Sequence, residues 1–178
     1  MNVPNILTLF RLFLIPVFVV VFFSNLTHNF LVAILVFLIA GATDFLDGYI
    51  ARKYKLVTDW GTILDPLADK LMLLTVLSCL VISAYIPLWV LLVVLGKDLF
   101  MIIMGTILYA KGTIIPSNVF GKVSTIFFYL SILIFSFDES FGLYLIYGSV
   151  ASAILALLNY LIVYSKNHKG TLKKNKTP

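Results

Sequence analysis

Four aspartates, Asp44, Asp47, Asp65 and Asp69, stand within 26 residues of a chain that is strongly apolar on either side of them. Asp44 and Asp47 are three apart, and Asp65 and Asp69 four apart, so each pair occupies one face of a helix. Gly48 and Ala51 extend the first face, and Gly61 begins the second one turn before Asp65. A short polar turn from Lys53 to Trp60 would fold the two helices antiparallel and bring both carboxylate pairs together. With no Cys or His at matching spacing, such a cluster is an all-oxygen site. It suits a hard divalent cation, magnesium or manganese, better than zinc. One Asp at the centre of a membrane helix costs about 2.5–3.5 kcal/mol on insertion scales, so four unpaired would approach roughly 10 kcal/mol, and mutual repulsion adds to that. Bound cations remove both costs. A metal held by carboxylates clamps phosphate oxygens and lowers the barrier to phosphoryl transfer.

The neighbours suit that chemistry. Gly48 and Gly61 lack side chains, which lets a bulky nucleotide approach both helix backbones. Arg52, one turn beyond Gly48, has the planar fork that binds a diphosphate through paired hydrogen bonds. Two plainer readings stand beside this one at the level of residue types: a structural ion network or cation path for the aspartates, and an interfacial anchor for Arg52.

The elements that must position these residues are membrane helices. Of 178 residues, 61% are hydrophobic and 12% charged, with a mean hydropathy of +1.07. A soluble domain is nearer 45–50% apolar and about 25% charged. Six apolar runs follow one another: about Ile6–Phe23, Phe30–Arg52, Gly61–Ala84, Ile86–Ala110, Val119–Phe137 and Phe141–Tyr164. Each is long enough for a bilayer core of about 30 Å. The first run outlasts a secretory signal core and lacks a small-residue cleavage site, so it reads as a retained span. Pro4 suits a helix start, and Pro16 introduces a kink. The expected fold is therefore an all-α bundle of six transmembrane helices over residues 1–165, with a basic tail over 166–178 that is disordered or held at the anionic lipid surface. Lys53, Lys55, Lys111, Lys122 and the tail lysines fall on one side, whereas the opposite loops hold no lysine or arginine. By the positive-inside rule both termini and the aspartates face the cytoplasm.

The net charge of +5 follows from that topology, with no nucleic-acid partner implied. Cys79 stands alone, which excludes an intramolecular disulfide. Lys97 and Asp98 are sequence neighbours about 100° apart on a helix, so each is expected to find a partner on another helix. Gly105 and Gly121 read as close-packing positions, Trp60 and Trp89 as interfacial anchors, and His28 and His168 as uninvolved in chemistry.

Asp44-x-x-Asp47-Gly48-x-x-Ala51-Arg52, then eight residues, then Gly61-x-x-x-Asp65-x-x-x-Asp69 resembles the signature of the CDP-alcohol phosphotransferases. The likeness extends through the six-helix outline across nearly the whole chain. That family transfers a substituted phosphoryl group from a CDP-linked donor to an alcohol and releases CMP. The resemblance implies two magnesium or manganese ions held by Asp44, Asp47, Asp65 and Asp69, with Asp69 also the general base for the acceptor hydroxyl. It implies a CDP site lined by Asp47, Gly48, Ala51, Arg52 and Gly61. The stretch Pro4-Asn5-x-Leu7-Thr8-x-x-Arg11 is similar to one that, in bacterial members using CDP-diacylglycerol, closes over the cytidine end, which adds Asn5 and Thr8.

Leu64-Asp65-Pro66-Leu67-Ala68-Asp69-Lys70 is similar to the phosphatidylglycerophosphate synthases of the family, whose acceptor is glycerol 3-phosphate. Cardiolipin synthases, whose acceptor is phosphatidylglycerol, have nearly the same stretch. The synthases often carry Arg-Glu at Lys97-Asp98 and Gly-Lys-x-Lys-Thr at Gly121–Thr125, and this chain departs from both. Lys70, Lys97, Lys111 and Lys122 are the candidate contacts for an anionic acceptor. The resemblance further implies a homodimer in the bacterial cytoplasmic membrane, among membrane lipids. A divalent-cation transporter is the reading of another class.

Overall fold

The computed structural model describes residues 3–54, 59–110 and 119–174; for 3, 4, 51, 52, 59–63, 66, 105–110, 119–122, 160 and 162–174 it describes the backbone alone. Among these residues the chain is entirely helical, with six helices: α1 (Val3–Phe22), α2 (Asn29–Tyr54), α3 (Asp59–Ile82), α4 (Leu88–Ala110), α5 (Val119–Phe135) and α6 (Glu139–Lys174). The apolar runs thus coincide with helices. Three of them are long and apolar enough to cross a membrane: Asn5–Phe22, Asn29–Ile50 and Glu139–Asn159, with Val123–Phe135 a shorter apolar helix.

The reversals are held locally. Between α1 and α2 the Asn29 amide donates to the carbonyls of Phe22 (2.9 Å) and Ser24 (3.0 Å), while its oxygen accepts from the Phe30 N–H (2.8 Å). One side chain therefore closes the end of one helix and caps the next. At the end of α3, Ala84 adopts φ 58° and the Tyr85 N–H reaches back to the Leu80 carbonyl at 2.9 Å, a left-handed helix stop made without glycine. Asp138 opens α6 by accepting from the Phe141 N–H at 2.9 Å.

α1 packs against both α2 and α3, α5 against α6, and α4 against α3 and α6. Phe18, Phe37, Met72, Leu77 and Phe128 are fully enclosed between them. At one end, the rings of Phe30, Tyr85 and Phe135 meet pairwise with centroids 5.7–5.9 Å apart, which ties α2, the α3–α4 turn and α5 together. The outer surface is apolar as well: Phe13, Val20, Ile39 and Phe45 are at least half exposed, the surface of a protein solvated by lipid chains.

Two expectations change. The helix α6 does not end near Tyr164 but continues to Lys174, so most of the basic tail is helical. Lysine is a good helix former, and extending an existing helix needs no new nucleus. At roughly 1.5 Å per residue α6 is about 54 Å long, well beyond a hydrocarbon core. The polar turn after α2 is also shorter than Lys53–Trp60, because α2 persists to Tyr54 and α3 begins at Asp59.

Candidate active site

The carboxylates on α2 and α3 are brought together by α1. Asn5, Thr8 and Arg11 recur every three residues and share one face of that helix. Thr8 and Arg11 are both buried, at 1% and 0% exposure, between α2 and α3. The Arg11 guanidinium donates through Nη1 to Asp44 Oδ1 at 2.6 Å and through Nη2 to Asp47 Oδ2. Its Nη1 also lies 3.5 Å from the Asp65 backbone carbonyl. Thr8 Oγ1 donates to Asp65 Oδ1. The forked side chain thus matches the i, i+3 spacing of Asp44 and Asp47, and the hydroxyl one turn earlier on α1 holds Asp65, the first of the two candidate site carboxylates on α3.

Asp69, one turn after Asp65, accepts a hydrogen bond from the Tyr129 hydroxyl of α5 at 3.2 Å. Beside it, Lys70 donates to Asp98 Oδ1 of α4 at 2.6 Å. Lys97 meets the same oxygen at 2.7 Å, which corrects the expectation that these sequence neighbours do not pair. Their Cβ directions diverge, but the four-carbon stem of lysine is long enough to return to the adjacent carboxylate. Asp98, only 4% exposed at its side chain, therefore gathers two cations, one of them from another helix as expected.

Of the candidate site residues, Asp44, Asp47, Asp65 and Thr8 are joined through Arg11 and Thr8 of α1, Asp69 is held separately by Tyr129, and Gly48 follows Asp47 on α2, half-buried. Ala51 and Arg52 lie in the last turns of α2, Gly61 in the first turn of α3 and Lys122 in the first turn of α5; their side chains, and the whole of Lys111, are outside the described residues. Sequence reasoning named Arg11 only as the last residue of the N-terminal stretch near the cytidine end, without its contacts to the aspartates, and gave Tyr129 no role. For Arg11 a signal existed: it is the sole Lys, Arg, Asp or Glu among the first 43 residues, and a lone cation inside an apolar helix requires a carboxylate partner. For Tyr129 there was none, since nothing distinguishes it from the other aromatic residues of α5.

Among the described residues no three carboxylates surround a single point as a coordination sphere, because Arg11 holds Asp44 and Asp47. The donor set nevertheless fits a divalent cation. Four carboxylates against one guanidinium leave a charge of −4 + 1 = −3, all the acidic donors are hard oxygens, and the Asp44 side chain is 40% exposed.

Comparison with known proteins shows the family to which the chain belongs. The family model for CDP-alcohol phosphatidyltransferase matches residues 1–163. A protein of Rickettsia felis named CDP-diacylglycerol–glycerol-3-phosphate 3-phosphatidyltransferase is 36% identical over 167 residues, 92% of each chain. One of the same name from Bacillus subtilis is 34% identical over 136 residues, 70% of each chain. A third, from Haemophilus influenzae, is 48% identical over 80 residues, 45% of this chain and 43% of its own length. With Asp44, Asp47 and Asp65 joined through α1 and its family matched over nearly its whole length, the chain belongs to the CDP-alcohol phosphatidyltransferases.

Proposed function

We propose that this chain transfers the phosphatidyl group of CDP-diacylglycerol to a hydroxyl of glycerol 3-phosphate, giving phosphatidylglycerophosphate and CMP. The observation that carries the reading is the meeting of Asp44, Asp47 and Asp65 on one face of α1, with Asp69 one turn beyond Asp65 on α3, in a member of this family. The two substrates are those named for the relatives from Rickettsia felis and Bacillus subtilis. In this reading all six helices cross a bacterial cytoplasmic membrane, with the termini and the aspartates on the cytoplasmic side, an orientation that the lysine distribution supports.

Divalent cations held by the four aspartates, magnesium or manganese, would neutralise the donor's diphosphate and polarise its phosphorus–oxygen bonds. Arg52 grips a diphosphate oxygen pair, and Gly48, Ala51 and Gly61 leave the helix backbones open to the nucleotide. Asn5 and Thr8 border the cytidine end. Asp69 takes the proton of the acceptor hydroxyl. The acceptor oxygen bonds to the lipid-bearing phosphorus, the bond from that phosphorus to the bridging oxygen breaks, and its electron pair leaves with CMP. Arg11 keeps Asp44 and Asp47 in register, so the donor groups need little reorganisation. Lys70, Lys97, Lys111 and Lys122 attract the acceptor phosphate, with Asp98 orienting the first two.

The test is CMP release by purified protein with CDP-diacylglycerol and magnesium, comparing glycerol 3-phosphate, phosphatidylglycerol, inositol phosphate and serine. Release with glycerol 3-phosphate alone is expected. Release with phosphatidylglycerol instead would make the chain a cardiolipin synthase. Silence with every acceptor, together with metal flux into liposomes, would replace the reading by cation transport.

A further inference from the structure

Tyr129 is built into the bundle more tightly than a lipid-facing aromatic needs to be. Its ring lies flat on Phe37 of α2, centroids 4.3 Å apart and planes within 5°, and Phe37 is fully buried. One turn further along the same face of α2 stands Gly41. A methyl group there would fall 3.1 Å from Tyr129 Cδ1 and Cζ and closer still to Cε1. The Phe37 ring and the missing side chain of Gly41 thus form a slot for the tyrosine, and Asp44 continues that face three residues on. From this slot the hydroxyl reaches Asp69 Oδ1 at 3.2 Å.

We propose that Tyr129 is a positioning residue for Asp69. Its hydroxyl holds Oδ1 and fixes the rotation of the carboxylate, so that Oδ2 is the oxygen presented to the acceptor hydroxyl. Phe37 and Gly41 set the height of the tyrosine and thereby couple α2, which carries one carboxylate pair, to the orientation of the last carboxylate on α3. The inference rests on the proposed phosphatidyl transfer and adds a residue to it.

The experiment uses the full-length protein in mixed micelles with CDP-diacylglycerol and glycerol 3-phosphate. Tyr129→Phe keeps the stack on Phe37 and removes only the hydroxyl. The expected result is a fall in kcat of about tenfold to thirtyfold, from the loss of a hydrogen bond to a charged group, with both KM values within about twofold of the parent. Gly41→Ala, which displaces the ring, should reproduce the fall, and the double variant should be no slower than the slower single one, because both act through one contact. An unchanged kcat in Tyr129→Phe, with Asp69→Asn inactive, would overturn the inference and leave the transfer reaction standing. So would equal additive losses in the double variant. An active Asp69→Asn would overturn the inference together with the general-base role of Asp69.

Discussion

Arg11 Nη1 of α1 lies 2.6 Å from Asp44 Oδ1 of α2, and its other terminal nitrogen holds Asp47 on the same helix. The guanidinium is completely buried, while its two carboxylates differ: Asp47 is enclosed and Asp44 is open. A buried cation between two acids makes α1 a structural part of a site whose acidic residues all come from other helices. It also leaves Asp44 accessible for further coordination.

Replacing Arg11 by Gln should therefore damage folding and chemistry together. Removing one partner of a buried pair costs about 3–5 kcal/mol, with the smaller figure fitting here because Asp44 remains solvated. We expect a lower thermal unfolding midpoint in detergent and at least a hundredfold loss of CMP release. Arg11→Lys should recover stability better than activity, since one ammonium does not bridge the Asp44–Asp47 pair as a fork does. Wild-type turnover in Arg11→Gln would show that the α1 contact is dispensable.

Metal removal should abolish turnover. Chelation by EDTA is expected to reduce CMP release to background, with recovery on adding magnesium or manganese. Manganese binding followed by electron paramagnetic resonance should weaken at least tenfold in Asp65→Asn and in Asp44→Asn, because each replaces a proposed hard oxygen ligand and removes a negative charge. Undiminished manganese binding in both variants would place the ion elsewhere.

The acceptor role proposed for Lys70 and Lys97, both paired with Asp98, can be tested apart from donor binding. Lys97→Met keeps the stem and removes the charge, so the KM for glycerol 3-phosphate should rise about tenfold while that for CDP-diacylglycerol stays within about twofold. Steady-state kinetics with each substrate varied in turn would check this. A parallel rise in both KM values would instead make Lys97 a structural partner of Asp98.

Gly142, at the start of α6, touches the end of α5 so closely that an added Cβ would lie 2.5–2.6 Å from Phe135 Cβ and N and closer still to its Cα. That obstacle is largely backbone and has no rotamer by which to yield. Gly142→Ala should lower stability by about 2 kcal/mol or more, a clear drop in unfolding midpoint, without a selective effect on either KM. An unchanged midpoint would show that the two helices separate more easily than their packing suggests.

The aspartates and most helix limits were legible in the sequence for definite reasons. Asp44, Asp47, Asp65 and Asp69 announce themselves because ionised groups beside long apolar runs are costly, and their i, i+3 and i, i+4 spacings confine each pair to one helix face. The helix breaks near Asn29 and Asp138 were likewise readable, since each side chain completes hydrogen bonds that its own local backbone leaves open. The helical stretch from Lys166 to Lys174 was not, because a polar composition alone does not distinguish a free tail from the extension of an existing helix.

By itself the sequence determined a membrane-type composition, a chain of apolar helices, and two carboxylate pairs each restricted to a helix face, because hydropathy and helical periodicity are local properties. Tertiary structure alone decided what those carboxylates touch. Arg11 meets Asp44 and Asp47 across 36 or fewer positions of chain, Thr8 meets Asp65 across 57, and Tyr129 meets Asp69 across 60. Such partners depend on which helices pack together and on the slot that Phe37 and Gly41 leave for one ring, and no local pattern encodes either.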